Sequence, residues 1–201
     1  NFLGRNFNGI RYNNIMANIK RANTSGITKS GSAIPDVPDA PTIGAATNVG
    51  TSRAYNNGSA TVAFTASATG GTSTSFTATS TPGSFTGSGA GSPVTVTGLQ
   101  SATSYTFVVT GTNASATSPV SSASSSITAT TVPSTPTIGV ASGGSGGAVS
   151  VSFTASAATG GSAITGYTVT SSSGRTGTGA SSPISVTEIA AGTYTYTVTA
   201  T

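Results

Sequence analysis

The 201-residue sequence contains no cysteine, no histidine and no tryptophan, and only 5% of its residues are charged. Soluble domains usually carry roughly 25% charged residues, so the surface of this protein must consist mainly of uncharged polar groups. Without cysteine, a disulfide framework and a thiolate metal site are both excluded. Without histidine, the most common general base of enzymes is missing. These absences exclude most catalytic and metal-dependent functions.

Acidic residues are also scarce, because Asp36, Asp39 and Glu188 are the only three. The two aspartates lie in a proline-containing segment far from Glu188 in the chain, so no carboxylate pair of the glycosidase kind is expected. The glycine clusters Gly87–Gly91 and Gly143–Gly147 lack a lysine and a following helix, which favours hairpin loops over a phosphate site. We therefore predict a non-catalytic protein with no catalytic residue, no metal site and no cofactor.

Positive charge is concentrated near the N terminus, where five of the seven basic residues precede Ser30. A nucleic-acid-binding surface needs clustered lysine and arginine side chains, and five charges spread over roughly 25 residues are too sparse. We therefore expect protein partners and no nucleic acid. The sequence has no run of 18 apolar residues, so no membrane span is expected either. The five basic residues are Arg5, Arg11, Lys20, Arg21 and Lys29.

The sequence contains an internal repeat. VPDAPTIG at Val37–Gly44 returns as VPSTPTIG at Val132–Gly139, and SPVTVTGL at Ser92–Leu99 returns as SPISVTEI at Ser182–Ile189. The offset of roughly 90 residues matches one small sandwich domain and exceeds the 20–50 residues of solenoid repeats. The sequence therefore predicts two tandem copies of one domain.

Both copies show the period-2 alternation of β-strands. In the first copy Val62 alternates with Phe64, and Tyr105 with Phe107 and Val109, while threonine dominates the outward positions. About seven short strands separated by turn signals are typical of an immunoglobulin-like sandwich. We predict an all-β chain of two tandem immunoglobulin-like sandwiches after an extended or partly helical N-terminal arm. The predicted boundaries are residues 1–35 for the arm, 36–132 for the first domain and 133–201 for the second.

Four segments resemble a known family. Val149–Ala155 and Gly160–Val169 are similar to strands B and C of a bacterial or phage-type fibronectin type III domain. In the first copy, Gly98-Leu99 followed by Ser104–Asn113 is similar to the E–F corner and the F strand of that family. The resemblance covers residues 38–201 and leaves out the arm. It implies tandem fibronectin type III domains.

The resemblance also implies a set of core residues. Phe64 and Phe153 stand where the family has a strand-B tryptophan, so each core buries somewhat less apolar area. Leu99 is expected below the E–F loop, and the Tyr105 hydroxyl is expected to bond to backbone a few residues upstream as a tyrosine corner. The matching pair in the second copy is Ile189 and Tyr194. The predicted structural core is Phe64, Leu99, Tyr105, Phe153, Ile189 and Tyr194.

The second copy lacks a segment that the first copy has. It runs through a candidate F strand, Tyr194–Thr199, and then stops, whereas Ser122–Thr130 supplies strand G to the first copy. A sheet without its edge strand exposes unpaired backbone groups and a strip of core. We expect that the natural chain continues beyond Thr201 or that another subunit donates the strand.

The arm contains more apolar side chains than a solvated linker would expose, which predicts an assembly anchor that docks on another protein. A helix over about Asn8–Arg21 is one form it can take. The alternative is that residues 1–35 are the trailing edge of an upstream domain. The predicted anchor residues are Phe2, Leu3, Phe7, Ile10, Tyr12 and Ile15.

Sandwich domains similar to these are common on phage surfaces, so the resemblance implies a structural protein of a bacteriophage virion. It would be a capsid decoration, neck or tail-appendage subunit that forms a homo-oligomer or symmetric assembly. Its partners would be other structural proteins of the same particle, through residues 1–35, and host cell surfaces or glycans, through the sandwiches. The alternatives are a surface adhesin or surface-layer protein on the bacterial cell, and a spacer region of a secreted polysaccharide hydrolase.

Overall fold

The computed structural model describes residues 36–201 and, within the arm, the backbone of two short strands, β1 (Thr28–Lys29) and β2 (Ser32–Ala33). These two strands pair antiparallel. The predicted helix over residues 8–21 lies outside the described residues. So do all the predicted anchor side chains, Phe2, Leu3, Phe7, Ile10, Tyr12 and Ile15.

Strands account for the regular structure of residues 36–201 apart from one short 3-10 turn, so the prediction of an all-β chain is confirmed. No helix in this part of the chain has the length and apolar character needed to cross a membrane. The first repeat contains β3 (Thr42–Asn48), β4 (Gly58–Thr65), β5 (Ser75–Thr81), β6 (Thr86–Gly89), β7 (Val94–Leu99), β8 (Ser104–Thr112) and β9 (Ile127–Thr128). The second contains β10 (Thr137–Gly143), the 3-10 turn Ser145–Gly147, β11 (Ala148–Thr154), β12 (Tyr167–Ser171), β13 (Thr176–Gly179), β14 (Ile184–Thr187) and β15 (Tyr196–Ala200).

Each repeat folds as two antiparallel sheets. The strand orders are β3-β4-β7 and β6-β5-β8-β9 in the first repeat, and β10-β11-β14 and β13-β12-β15 in the second. The first, second and fifth strands of a repeat thus share one sheet, and the third, fourth and sixth share the other. This arrangement is an immunoglobulin-like sandwich. The two repeats have the same topology up to the last strand.

The alternating apolar residues face inward and form one core in each repeat. In the first core the rings of Phe64 and Phe76 lie 4.6 Å apart between centroids, and in the second those of Phe153 and Tyr167 lie 4.8 Å apart. These tilted ring pairs belong to the hydrophobic cores of the two repeats. Full burial of a valine or phenylalanine side chain stabilises the fold by about 1.5–3 kcal/mol. Of the predicted core residues, the buried ones are Phe64, Leu99, Tyr105 and Phe153.

Ile189 does not belong to the core of the second repeat, so its predicted role is wrong. Its side chain is 79% exposed, whereas Leu99 at the matching position of the first repeat is 0% exposed. The preceding residue explains the difference. Gly98 adopts φ +79°, a conformation that favours glycine, whereas Glu188 stands at the same place and does not share it. Glu188 turns inward instead, and the next side chain therefore faces solvent.

The two predicted corner tyrosines are placed differently. Tyr105 is buried, and its hydroxyl oxygen accepts the N–H of Gln100 at 2.9 Å. Tyr194 is only half-buried and lies before β15, and its hydroxyl donates to the carbonyl of Ala190 at 2.9 Å. Tyr194 thus closes the loop that precedes β15 but is not part of the hydrophobic core.

The edge of the first repeat differs from the predicted strand G over residues 122–130. Only β9, Ile127–Thr128, pairs with β8 as a regular strand. Upstream of it, three buried serines spaced three residues apart run along β8, and we call Ser118, Ser121 and Ser124 the serine ladder. The backbone groups of β8 point to the same side at every second residue. Successive serines of the ladder therefore lie opposite residues of β8 that are two apart.

Each serine of the ladder satisfies both backbone groups of one β8 residue. Its N–H donates to the carbonyl at 2.8–2.9 Å, and its Oγ accepts the N–H of the same residue at 2.9–3.0 Å. The hydroxyl then donates to the carbonyl of the residue that follows the serine, at 2.7–2.9 Å. The β8 edge is therefore closed without a second regular strand. The pairs are Ser118 with Gly111, Ser121 with Val109, and Ser124 with Phe107.

Candidate functional site

The junction between the repeats is held by hydrogen bonds on both sides. The N–H of Val132 donates to the carbonyl of Arg53 in the first repeat at 3.0 Å. The N–H of Thr131 donates to the carbonyl of Gly160 in the second repeat at 2.8 Å. Pro133 follows directly and fixes its own φ. The linker is therefore bonded to both sandwiches and does not behave as a free hinge.

The linker is also paired with a loop of the second repeat. The N–H of Ser134 donates to the carbonyl of Ala158 at 2.9 Å, and the Ser134 hydroxyl accepts the N–H of Ala158 at 3.0 Å. One serine thus satisfies both backbone groups of its partner, as in the serine ladder. We call the contacts of residues 131–134 with Arg53, Ala158 and Gly160 the junction clasp.

The first repeat holds its own leading segment in the same way. The N–H of Gly71 donates to the carbonyl of Val37 at 3.1 Å, and the N–H of Asp39 donates to Thr69 at 3.4 Å. The side-chain amide of Asn113 adds a bond of 2.7 Å to the carbonyl of Asp36. In both repeats, therefore, the loop with the Thr-Gly-Gly sequence binds the segment that precedes the domain.

Glycine is required where these segments approach the loop. Gly70 and Gly160 both have φ +73°. A Cβ atom on Gly70 would collide with the carbonyl of Val37, and one on Gly160 with the carbonyls of Thr131 and Val132. The Thr-Gly-Gly sequence that both repeats share at this loop is the signal for the clasp.

The cavity beside the junction clasp has no charged side chain in its lining. A cavity of about 370 Å³ lies beside the clasp, and hydroxyl and small apolar side chains line it without an ionisable group. Such a lining can bind a polypeptide through hydrogen bonds and apolar contact, but it offers no acid, base or nucleophile pair. The lining includes Thr51, Ser52, Val132, Pro133, Thr159 and Ser162.

The three acidic side chains do not lie together in one site. Asp36 and Asp39 are exposed in the segment that leads into the first repeat, whereas Glu188 is buried in the second repeat. Within residues 36–201, no group of three or more acidic side chains is placed to hold a metal ion.

Glu188 forms a buried polar network that the sequence prediction missed. Ser173 donates to its Oε2 at 2.7 Å, and the Tyr196 hydroxyl donates to its Oε1 at 3.2 Å. A hydrogen bond from Ser171, followed by those from Ser173 and Tyr196, lowers the pKa of Glu188 below 4.5 against the opposing effect of burial. Burial and the neighbouring carboxylate raise the pKa of Tyr196 above 10.0, so its phenol remains a donor. The arrangement stabilises a charged carboxylate inside the sandwich.

Acid should weaken the second sandwich through Glu188. Because folding lowers the pKa of this carboxyl, its stabilising contribution is present above pH 4.5 and is lost as the pH falls through the folded-state pKa. We expect the unfolding midpoint of the wild-type protein in urea to fall between about pH 5 and pH 3, and that of Glu188→Gln to fall less.

Asp39→Asn is the matched control, because Asp39 is exposed. It should follow the wild-type pH profile. Identical profiles for Glu188→Gln and the wild-type protein would contradict the assignment.

The sequence matches no family model and no curated protein. Among solved structures, the chain is similar to titin kinase and its flanking domains at 20% identity and a TM-score of 0.37, over 59% of this chain and 27% of that one. It is also similar to the chicken CNTN1 FN1–FN3 domains at 16% identity and a TM-score of 0.37, over 82% of this chain and 56% of that one. The chain thus spans about a quarter of the first structure and about half of the second. At this level of similarity neither structure carries an argument about function.

Proposed function

We propose that the chain is a non-catalytic structural spacer of a bacteriophage virion, as a capsid decoration, neck or tail-appendage subunit. In this proposal residues 1–35 anchor the chain to other structural proteins of the particle. The two sandwiches then extend outward, where they space or attach other components. The observation that supports it most directly is the junction clasp, which ties the linker to both repeats.

The clasp suits a spacer because it fixes the position of one module on the next. A free linker would let the two sandwiches rotate, whereas the backbone bonds of Thr131, Val132 and Ser134 restrain the chain at three of its residues. A spacer needs a constant distance between its ends and no reactive groups. The cavity beside the junction clasp, whose lining has no charged side chain, agrees with that requirement.

The chemistry of the described surface suits contact with other polypeptides or glycans. Its exposed strand positions are mainly threonine and serine, which bind through many weak hydrogen bonds and not through steered ionic contact. A surface with so little charge favours association, and fixation in a homo-oligomeric or symmetric particle would use that tendency. The proposed location is the virion as an extracellular particle.

The spacer is tested by a distance measurement between the repeats. The chain has no native cysteine, so Ala90→Cys and Ala180→Cys place two unique spin labels at exposed, equivalent positions. We expect one narrow distance distribution by pulsed electron paramagnetic resonance. Gly160→Ala should broaden it at least about twofold, because a Cβ atom there expels the linker from the clasp.

Gly143→Ala is the matched control, because its added Cβ atom meets nothing within 4 Å. This variant should keep the narrow distribution. A broad distribution for the unsubstituted chain would contradict the spacer.

The virion placement has its own readout in immunogold electron microscopy. Antibodies against residues 36–201 should label intact particles, and antibodies against residues 1–35 should label only disrupted ones. If the antibodies label bacterial cells that contain no particles, the virion proposal is wrong and the chain is a bacterial surface adhesin. Recovery of the chain in covalent linkage with a catalytic domain would make it a hydrolase spacer.

A further inference from the structure

The loop between β3 and β4 ends in an asparagine followed by a glycine. Asn57 is the last residue of this loop and is exposed, and Gly58 is the first residue of β4. The carboxamide carbon of an asparagine can be attacked by the backbone nitrogen of the next residue, which closes a five-membered succinimide ring. Glycine favours this attack because it has no Cβ atom to obstruct the approach. Within residues 36–201, Asn57 is the only asparagine that precedes a glycine.

The side chain of Arg53 binds both carbonyl groups of Asn57. Its Nε donates to the backbone carbonyl oxygen at 2.6 Å, and its Nη2 donates to Oδ1 at 3.2 Å. A cationic donor on Oδ1 draws electron density from the carboxamide carbon and stabilises the negative charge that collects on this oxygen when a nucleophile adds. The Nδ2 group, which has to leave in such a reaction, has no hydrogen-bond partner within residues 36–201. The carboxamide is therefore activated at its oxygen and unrestrained at its nitrogen.

The other three asparagines of residues 36–201 lack this combination. Asn48 and Asn113 use their side-chain amides as donors to other segments of the chain. The Oδ1 of Asn56 accepts a neutral backbone N–H and not a cation. Each of the three is followed by a residue that has a side chain. Activation by a cation, a free amide nitrogen and a following glycine thus coincide only at Asn57.

We propose that Asn57 is a self-modification site, at which Arg53 promotes conversion of the asparagine to aspartate or isoaspartate. The backbone nitrogen of Gly58 loses its proton to water and bonds to the Cγ atom of Asn57. The bond from Cγ to Nδ2 then breaks, and ammonia leaves. Water opens the succinimide at one of its two carbonyls, so the net reaction consumes one water, releases one ammonia and involves no oxidation or reduction. Gly58 lies at the end of β4, beside a register shift, where local opening of the strand frees its nitrogen.

The reaction changes the charge beside Arg53. Within residues 36–201 the guanidinium of Arg53 has no acidic partner, and its side chain bonds only to Asn57. A carboxylate at residue 57 forms an ion pair with it and lowers the formal net charge by one unit from +4. The backbone carbonyl of Arg53 accepts the N–H of Val132 in the junction clasp, so the modified loop is the one that contacts the linker. The conversion acts on no other molecule, and the inference does not rest on the virion placement.

The first test follows the 201-residue protein during storage at mildly alkaline pH and body temperature. Peptide mapping by mass spectrometry should show the mass change of an NH2-to-OH exchange at Asn57. Conversion at Asn48, Asn56 and Asn113 should be at least about tenfold slower. Asn8, which also precedes a glycine but belongs to the arm, is mapped on its own peptide. No conversion at Asn57, or equal rates at the four asparagines of residues 36–201, would overturn the proposal.

The second test separates the role of Arg53 from the effect of the Asn-Gly sequence alone. Arg53→Ala should slow conversion of Asn57 at least about threefold, because it removes the cation from Oδ1. The clasp uses only the backbone carbonyl of this residue, so the variant keeps the fold. Arg53→Lys should restore part of the rate, and Arg175→Ala, which changes an exposed arginine of the second repeat, is the matched control and should leave it unchanged. A rate in Arg53→Ala equal to or above that of the wild-type protein would overturn the proposal.

Discussion

Leu99→Ala should lower the free energy of unfolding of the first sandwich by about 2–5 kcal/mol. Leu99 ends β7 with its side chain at 0% exposure, opposite Gly58 and close to Ala129 in a core of only moderate size. Removal of three carbon atoms there leaves a cavity that neighbouring strands cannot fill without breaking their pairing. A loss of this size is a large fraction of the stability of a domain with about 95 residues.

The repeat supplies its own control for this prediction. Ile189→Ala changes the matching position of the second sandwich, where the side chain is 79% exposed, and should change the free energy of unfolding by less than about 0.5 kcal/mol. Equilibrium urea unfolding of both variants, followed by amide exchange at β8 and β12, separates the two sandwiches. Equal effects of the two substitutions would contradict the difference between the E–F corners.

Ser121→Ala should destabilise the first sandwich by about 1–3 kcal/mol, because it leaves the buried N–H of Val109 without an acceptor. Ser121 is buried, and its hydroxyl accepts that N–H at 2.9 Å while it donates to the carbonyl of Ser122. The triple substitution of Ser118, Ser121 and Ser124 removes the same bond at three β8 residues. The triple variant should lose more stability than Ser121→Ala alone. Because the three serines line one edge, the total loss is not the simple sum of the three single losses.

Ser122→Ala is the matched control, because Ser122 is the next residue and its side chain is exposed. It should leave the unfolding midpoint within about 0.5 kcal/mol of the wild-type value. Hydrogen exchange adds a local measurement, since the amide of Val109 should exchange faster in Ser121→Ala and not in Ser122→Ala. Unchanged exchange at Val109 in both variants would show that the ladder does not hold the edge.

The period-2 alternation predicted the sandwiches because most inward residues of these strands are apolar and most outward residues are small and polar. Val62, Phe64, Phe107 and Val109 are buried as that pattern requires. The pattern failed at Ile189 because the direction of a side chain after a strand depends on the backbone of the residue before it. An alignment of the two repeats places glutamate opposite Gly98, and that single difference was the available signal.

The serine ladder could not be predicted from strand periodicity, because its spacing is three and strand recognition looks for two. Serine is abundant in this chain, so a triplet spacing does not stand out against its neighbours. The junction clasp was hidden for a related reason. A Thr-Gly-Gly sequence is interpreted as a turn, and only the folded chain brings Gly160 against the linker, which lies many residues earlier in the sequence.

Because each sandwich binds the few residues that lead into it, part of the geometry of a join is encoded within the module that follows it. A series of such modules needs no dedicated connector, and adding or deleting one whole unit would change the reach of the chain by a constant step. Length can then vary in evolution by duplication alone, while the orientation at every join is inherited with the copied unit.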